Sequence, residues 1–389
     1  LDLGGASLGS GISVGLNGGT LTNTGTAVST MSGNIVVIAA STINGTKDIT
    51  VSGFVNNPYT SDGSVYLTKS GSNTLTFSGN NQQATKYNAY VGTTKLVDGV
   101  LSLNSANALD PLKTVKGSIV FANGTLQYTS NNTTDYSSIF STAASQVYEI
   151  DTNGQNVTLA TALTSSGGSM YKLGTGTLTL SGANTYAGGT TVSAGTLKLN
   201  NVTALGASAG AVSVTSGAVL DLNGLTISNT NALTLNGTGI TSGGALINSS
   251  ATAASYAGAV SLATDSSIST TGNITLSGVV SGTGALTKLG AGTLTLTGIN
   301  TYTGNITISA GTLTIGGASS LGYSSASGIS NYTGTIANSG AFYYSSTVDQ
   351  TLSGVISGTG SLTKDTGTTS TLSLNAANTY SGATTVTAG

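Results

Sequence analysis

Residues 286–315 read LTKLGAGTLTLTGINTYTGNITISAGTLTI, and this stretch decides the fold because most of it occurs again. Residues 176–199 read GTLTLSGANTYAGGTTVSAGTLKL. In both places the two GTL strands begin 19 residues apart, at 176 and 195 and at 292 and 311. A third copy, STLSLNAANTYSGATTVTAG at 370–389, keeps that spacing. A degenerate copy begins at Asn73 (NTLTFSG) and resumes at Tyr87 (YNAYVGTTKLVDGVLSL). Its strands lie 26 apart, which marks a seven-residue insertion around Asn80–Lys86. Self-similarity at a fixed period is the sequence signature of stacked repeat architectures.

Within Gly176–Leu180, Leu178 and Leu180 alternate with Thr177 and Thr179. A period of two places both leucines on one face of a strand. Strands of about five residues separated by Gly, Asn and Ser read as short β-segments joined by turns. Near-identical strands one coil apart suit stacked rungs, each covering the apolar residues of its neighbour. An antiparallel sandwich would not need one strand sequence to recur at a fixed distance. The expectation is one continuous parallel β-helix, rod-like, of about 18–20 coils and on the order of 90 Å at a rung spacing of about 4.8 Å.

Composition agrees with an all-β chain. The 389 residues include 57 glycines and 2 prolines, and only 6% are charged. Thr, Val, Ile, Leu and Tyr are abundant, and apart from leucine these favour pleated strands. The low charge and positive mean hydropathy argue against disorder. All ten basic residues are lysines, Glu149 is the one glutamate, and Arg, His, Cys and Trp are absent. A net charge of −2 with scattered lysines excludes a nucleic-acid reader. No run approaches the roughly 18 apolar residues that cross a bilayer, so membrane insertion is not expected. Without cysteine there is neither a disulfide scaffold nor a thiolate metal site.

Each copy carries Asn-x-Tyr: Asn88/Tyr90, Asn184/Tyr186, Asn300/Tyr302 and Asn378/Tyr380. Each is led in by a phrase ending in lysine, at Lys69, Lys172, Lys288 and Lys364, and SGVVSGTGALTK (277–288) recurs as SGVISGTGSLTK (353–364). These motifs, at 65–103, 170–199, 286–315 and 362–389, resemble the autotransporter-associated β-strand repeat of bacterial surface and secreted proteins. The resemblance covers about a third of the chain. It implies a right-handed parallel β-helix, an extracellular or cell-surface location, and a role as adhesin stalk or passenger.

Aligning the closing glycines divides the solenoid into four modules, 1–99, 100–195, 196–311 and 312–389. LDLGGASLG at 1–9 nearly repeats LTIGGASSLG at 313–322, and the chain stops at TVTAG where the other copies continue into a further strand. One expectation from this is a structural fibre protein whose subunits join head to tail. Thr385, Val386, Thr387, Ala388 and Gly389 of one chain would then be continued by Leu1, Asp2, Leu3, Gly4 and Gly5 of the next. The alternative is an adhesin or stalk segment of a larger surface protein. The partners are accordingly a second copy of the chain or the rest of a longer repetitive chain, and a surface glycan or protein.

Several residues invite a site and have a plainer reading. The asparagines are read as turn residues whose amides satisfy backbone groups, and the tyrosines as rings packed on the adjacent turn with the hydroxyl at the surface. The motif lysines are read as solvent-facing gatekeepers against side-to-side pairing. Asp62–Gly63, Asp151–Gly154 and Asp221–Gly224 look like calcium turns but gather too few oxygens. Threonine pairs such as Thr177/Thr179 and Thr293/Thr295 would order water only if they aligned. With no His, Cys or Arg, no catalytic constellation forms; neither a metal nor a cofactor is expected, and the chain is expected not to be an enzyme. A binding surface, if present, is expected in the insertion of the first module or in 128–154, which carries Tyr128, Tyr136, Phe140 and Tyr148.

Overall fold

The computed structural model describes the chain except residues 58–64, 80–91, 107, 110–116 and 325–328. It is a parallel β-solenoid of about 15 turns. Two compact units are present, Leu1–Gly188 and Gly189–Gly389. Their boundary falls inside the second repeat.

The alternation read in the sequence governs the register. In the first unit, Leu21 pairs with Ile43, Ile43 with Lys69, Lys69 with Leu96 and Leu96 with Phe121, so one inward column runs through successive rungs. A second column runs Met31–Val51–Phe77–Leu103. All of these side chains are buried. In the second unit the column Ile274–Leu294–Leu313–Phe342–Leu362 is formed in the same way. Parallel pairing follows because each strand meets its counterpart one turn later, running in the same direction. Among the described residues, the strand pair Tyr323–Ser324 and Ile329–Tyr332 forms a hairpin and is antiparallel.

The turn count is lower than the 19-residue period implied. Thr293 meets Thr312 after 19 residues, but Leu21 meets Ile43 after 22 and Thr312 meets Ala341 after 29. The strands keep register while corner loops absorb the extra length, since loop elongation costs little once the ends are fixed.

Core composition differs along the chain. Phe121, Phe140 and Tyr148 meet at centroid distances of 4.8, 5.4 and 6.1 Å inside the first unit. Most other rungs are filled with Leu, Ile and Val.

Candidate functional site

The feature common to the repeats lies inside the solenoid. Lys69, Lys172, Lys288 and Lys364 are all buried, at 1%, 0%, 0% and 5% exposure. This corrects the solvent-facing role expected of them. The lysine sits two residues after an inward apolar side chain (Leu67, Met170, Leu286, Leu362), so strand alternation turns it inward. Its ammonium is then obliged to find partners, because a buried unpaired charge is prohibitive.

The partners are backbone carbonyls at the corner of the coil. Lys288 Nζ donates to the carbonyls of Leu289 (2.9 Å), Gly290 (2.8 Å) and Ala310 (3.1 Å). Lys69 Nζ donates to Ser70 (2.9 Å), Gly71 (2.7 Å) and Asp98 (3.1 Å). Lys172 Nζ reaches Leu173 and Gly174 at 2.9 and 2.7 Å. Lys364 reaches Thr366, and Ala388 at 3.3 Å. The carbonyls of Asp98, Ala310 and Ala388 immediately precede the glycine that closes the repeat. A buried ammonium thus joins the two ends of the motif. Burial pushes the ammonium pKa of Lys69, Lys172 and Lys288 down to about 8. At Lys69 the carboxylates of Asp98 and Asp48 oppose that shift, and at Lys172 that of Asp151 does.

The closing glycine is required by the same corner. Gly99 and Gly311 hold φ of +68° and +65°, a left-handed conformation that side chains disfavour. A Cβ at Gly99 would stand 2.2 Å from the Gly71 oxygen and 2.6 Å from Lys69 Nζ, and at Gly311 2.4 Å from the Gly292 oxygen.

The Asn-x-Tyr motif lies a corner further on. Asn184 Oδ1 accepts the Leu163 N–H, Asn300 Oδ1 that of Val280, and Asn378 Oδ1 that of Ile356, at 2.8 to 2.9 Å. Asn300 also donates to the Ser320 carbonyl at 3.1 Å. Tyr186 and Tyr302 are fully buried, so neither hydroxyl is at the surface, which corrects that expectation. Burial holds the Tyr302 phenol well above its ordinary pKa, with the Tyr332 ring 5.7 Å away. Tyr380 is partly exposed and its hydroxyl meets Thr384 Oγ1 at 2.7 Å. Asn88 and Tyr90 lie outside the described residues, as does Asp62–Gly63.

The remaining candidates are turn and core residues. Asp151 Oδ1 accepts the Asn153 N–H, and Asp221 accepts from Asn223, Ser249 N–H and Ser249 Oγ. Threonines do align on the outer face: Thr275 pairs with Thr295 and Thr295 with Thr314, but Tyr343 interrupts the rank at the following rung. Tyr128, Tyr136, Phe140 and Tyr148 are buried, so 128–154 presents no aromatic surface to a partner. The proposed insertion of the first module, Asn80–Lys86, lies outside the described residues. Of the residues given to self-association, Asp2 bridges Thr22, with its carboxylate accepting the Gly4 N–H, and Leu3 is buried. Thr385 and Val386 pair with Thr363 and Lys364, and Thr387 N–H donates to the Lys364 carbonyl.

Rungs of one recurring sequence, latched at a corner by a buried lysine, define a repeat-built β-solenoid. The model of the passenger-associated-transport-repeat matches residues 67–103, 170–199, 286–315 and 364–389, so the chain carries autotransporter-associated repeats. Among curated proteins, the adhesin BmaC autotransporter of Brucella suis biovar 1 (strain 1330) is 32% identical over 238 residues. That alignment spans 54% of this chain and 7% of the relative. No solved structure matches the chain.

Proposed function

We propose that this chain is a passenger segment of a larger bacterial surface or secreted protein, serving as an adhesive stalk without catalytic activity. The observation that carries the reading is the recurrence of the transport-associated repeat four times within parallel-paired rungs. Similarity to an adhesin autotransporter supports it and lends nothing to the head-to-tail filament. The construction suits a load-bearing element. Backbone pairing runs from rung to rung, buried ammoniums tie the corners, and outward positions are mostly Thr and Ser with little charge to attract nonspecific partners.

Displaying the chain on a non-adherent bacterium and counting attachment to host-cell and matrix-coated surfaces tests the reading. Attachment several-fold above the empty display host is expected. Attachment equal to that host, with the chain verified at the surface, would overturn the adhesive role.

A further inference from the structure

The hairpin Tyr323–Ser324/Ile329–Tyr332 stands where the parallel pattern is broken, and beside it the second unit carries a groove of about 600 Å³. Its lining includes Ile299, Tyr323, Ser330, Asp349, Thr351 and Ser373. Thr351 and Ser373 are register partners on adjacent rungs, so their outward hydroxyl groups stand one above the other. Asp349 is exposed, its Oδ1 accepts the Thr371 N–H at 2.7 Å, and its second oxygen has no partner among the described residues.

The groove is held in shape from beneath. Gln350 is 1% exposed and uses both ends of its amide. Its Oε1 accepts the Leu321 N–H at 2.6 Å, and its Nε2 donates to the carbonyls of Leu321, Ser330 and Thr351 at 3.1, 3.1 and 2.8 Å. One buried side chain therefore fixes the base of the hairpin to the rung that forms the floor. A concavity fixed in this way before binding does not spend affinity on ordering itself.

We propose that this groove binds a neutral oligosaccharide; the proposal deepens the adhesive reading and rests on it. The charge distribution selects the ligand class. Residues 189–389 contain three lysines, Lys198, Lys288 and Lys364. Two of these are buried in the corners, and none lines the groove. A phosphate, sulfate or sialic acid would meet the Asp349 carboxylate with no counter-charge, which disfavours it. A purely apolar ligand would leave the carboxylate and hydroxyl groups unsatisfied. A neutral pyranose fits both halves: its C–H face packs on Tyr323 and Ile299, and its hydroxyl groups donate to Asp349 and exchange hydrogen bonds with Thr351 and Ser373.

Calorimetry on the whole chain with chitooligosaccharides, cellooligosaccharides and maltooligosaccharides, and heparin as the anionic probe, tests the proposal. At least one neutral series binds and heparin does not. Tyr323→Ala and Asp349→Asn each weaken that binding about tenfold, with circular dichroism and melting unchanged, while Tyr343→Ala on the outer face elsewhere leaves it intact. Asp349→Asn keeps the acceptor for Thr371, so it reports on binding even if Tyr323→Ala misfolds. Failure of all neutral series, insensitivity to Asp349→Asn in the folded chain, or binding of heparin alone overturns the proposal. The display assay separates the two readings. Attachment that survives Asp349→Asn while no neutral series binds sinks the groove and leaves the adhesin. Sugar binding without attachment sinks the adhesin and leaves the groove.

Discussion

At the scale of single residues, the motif lysine converts a potential defect into a fastening. At Lys69 its four carbons fill the position that Leu96 and Ile43 occupy in neighbouring rungs, and its head donates to the carbonyls of Ser70, Gly71 and Asp98 at the corner. Lys288→Met keeps the volume and removes the donor. The carbonyls of Leu289, Gly290 and Ala310 then lose their common partner, and local stability at pH 7 falls by about 2 kcal/mol, read as faster amide exchange around that corner. Gly311→Ala meets both the +65° φ and the Gly292 oxygen and costs about 2 kcal/mol or more. At Gly18, where φ is +75° but no atom lies within 4 Å, the same change costs only its backbone strain, about 1 kcal/mol. Melting curves of the two variants would rank them. The pH dependence has a definite sign. With ammonium pKa near 8 in the folded chain and about 10.4 when unfolded, the unfolded chain binds more protons in between, so stability rises as pH climbs from about 8 to about 10. Tyr128 and Tyr302, whose phenols are held above 10, reverse the slope at higher pH. A denaturation midpoint that falls monotonically across pH 8 to 10 would contradict this account of the corners.

At the scale of the strand, alternation carried nearly all the information needed. The leucines of Thr177–Leu180 and Thr293–Leu296 point inward and their threonines outward, as the period of two requires. Leu294→Ala is expected to cost about 2–4 kcal/mol, while Thr295→Ala stays within about 0.5 kcal/mol, a difference that urea denaturation resolves. The same alternation already placed Lys288 on the face of Leu286, so the buried lysine was legible. The gatekeeper reading set aside the local period in favour of a general preference of charge for water. The amide bonds of Asn184 and Asn300 were likewise foreseeable as turn chemistry. The burial of Tyr186 and Tyr302 was not, because ring depth depends on corner width, and that is fixed by loops rather than strands. The groove beside Tyr323 is illegible for a related reason. It arises from a hairpin outside the repeat and from Gln350, whose partners at Leu321 and Ser330 are brought to it only by coil closure.

For the whole molecule, parallel stacking makes length a matter of whole turns. Thr275 and Thr295 are register partners, as are Leu276 and Leu296. Deleting residues 276–295 therefore joins Thr275 to a leucine that faces inward as Leu276 did, and a folded, cooperatively melting solenoid one turn shorter is expected. Deleting 276–296 instead joins Thr275 to Thr297 and puts a polar residue at the inward position that Leu276 and Leu296 hold at the end of the strand. That variant is expected to be insoluble or protease-sensitive, and limited proteolysis of the pair would show whether register or mere length governs folding.

The lysine corner has a further consequence, in heredity rather than mechanics. Lys288 and the Ala310 carbonyl it grips both lie within 286–315, so the donor and its farthest acceptor are encoded in one short stretch of gene. Unequal recombination that copies or drops that stretch moves a complete fastening, never half of one. A lineage can therefore lengthen or shorten such a protein without first inventing a compensating change elsewhere, and the likeness of 170–199 to 286–315 is the kind of trace that such copying leaves.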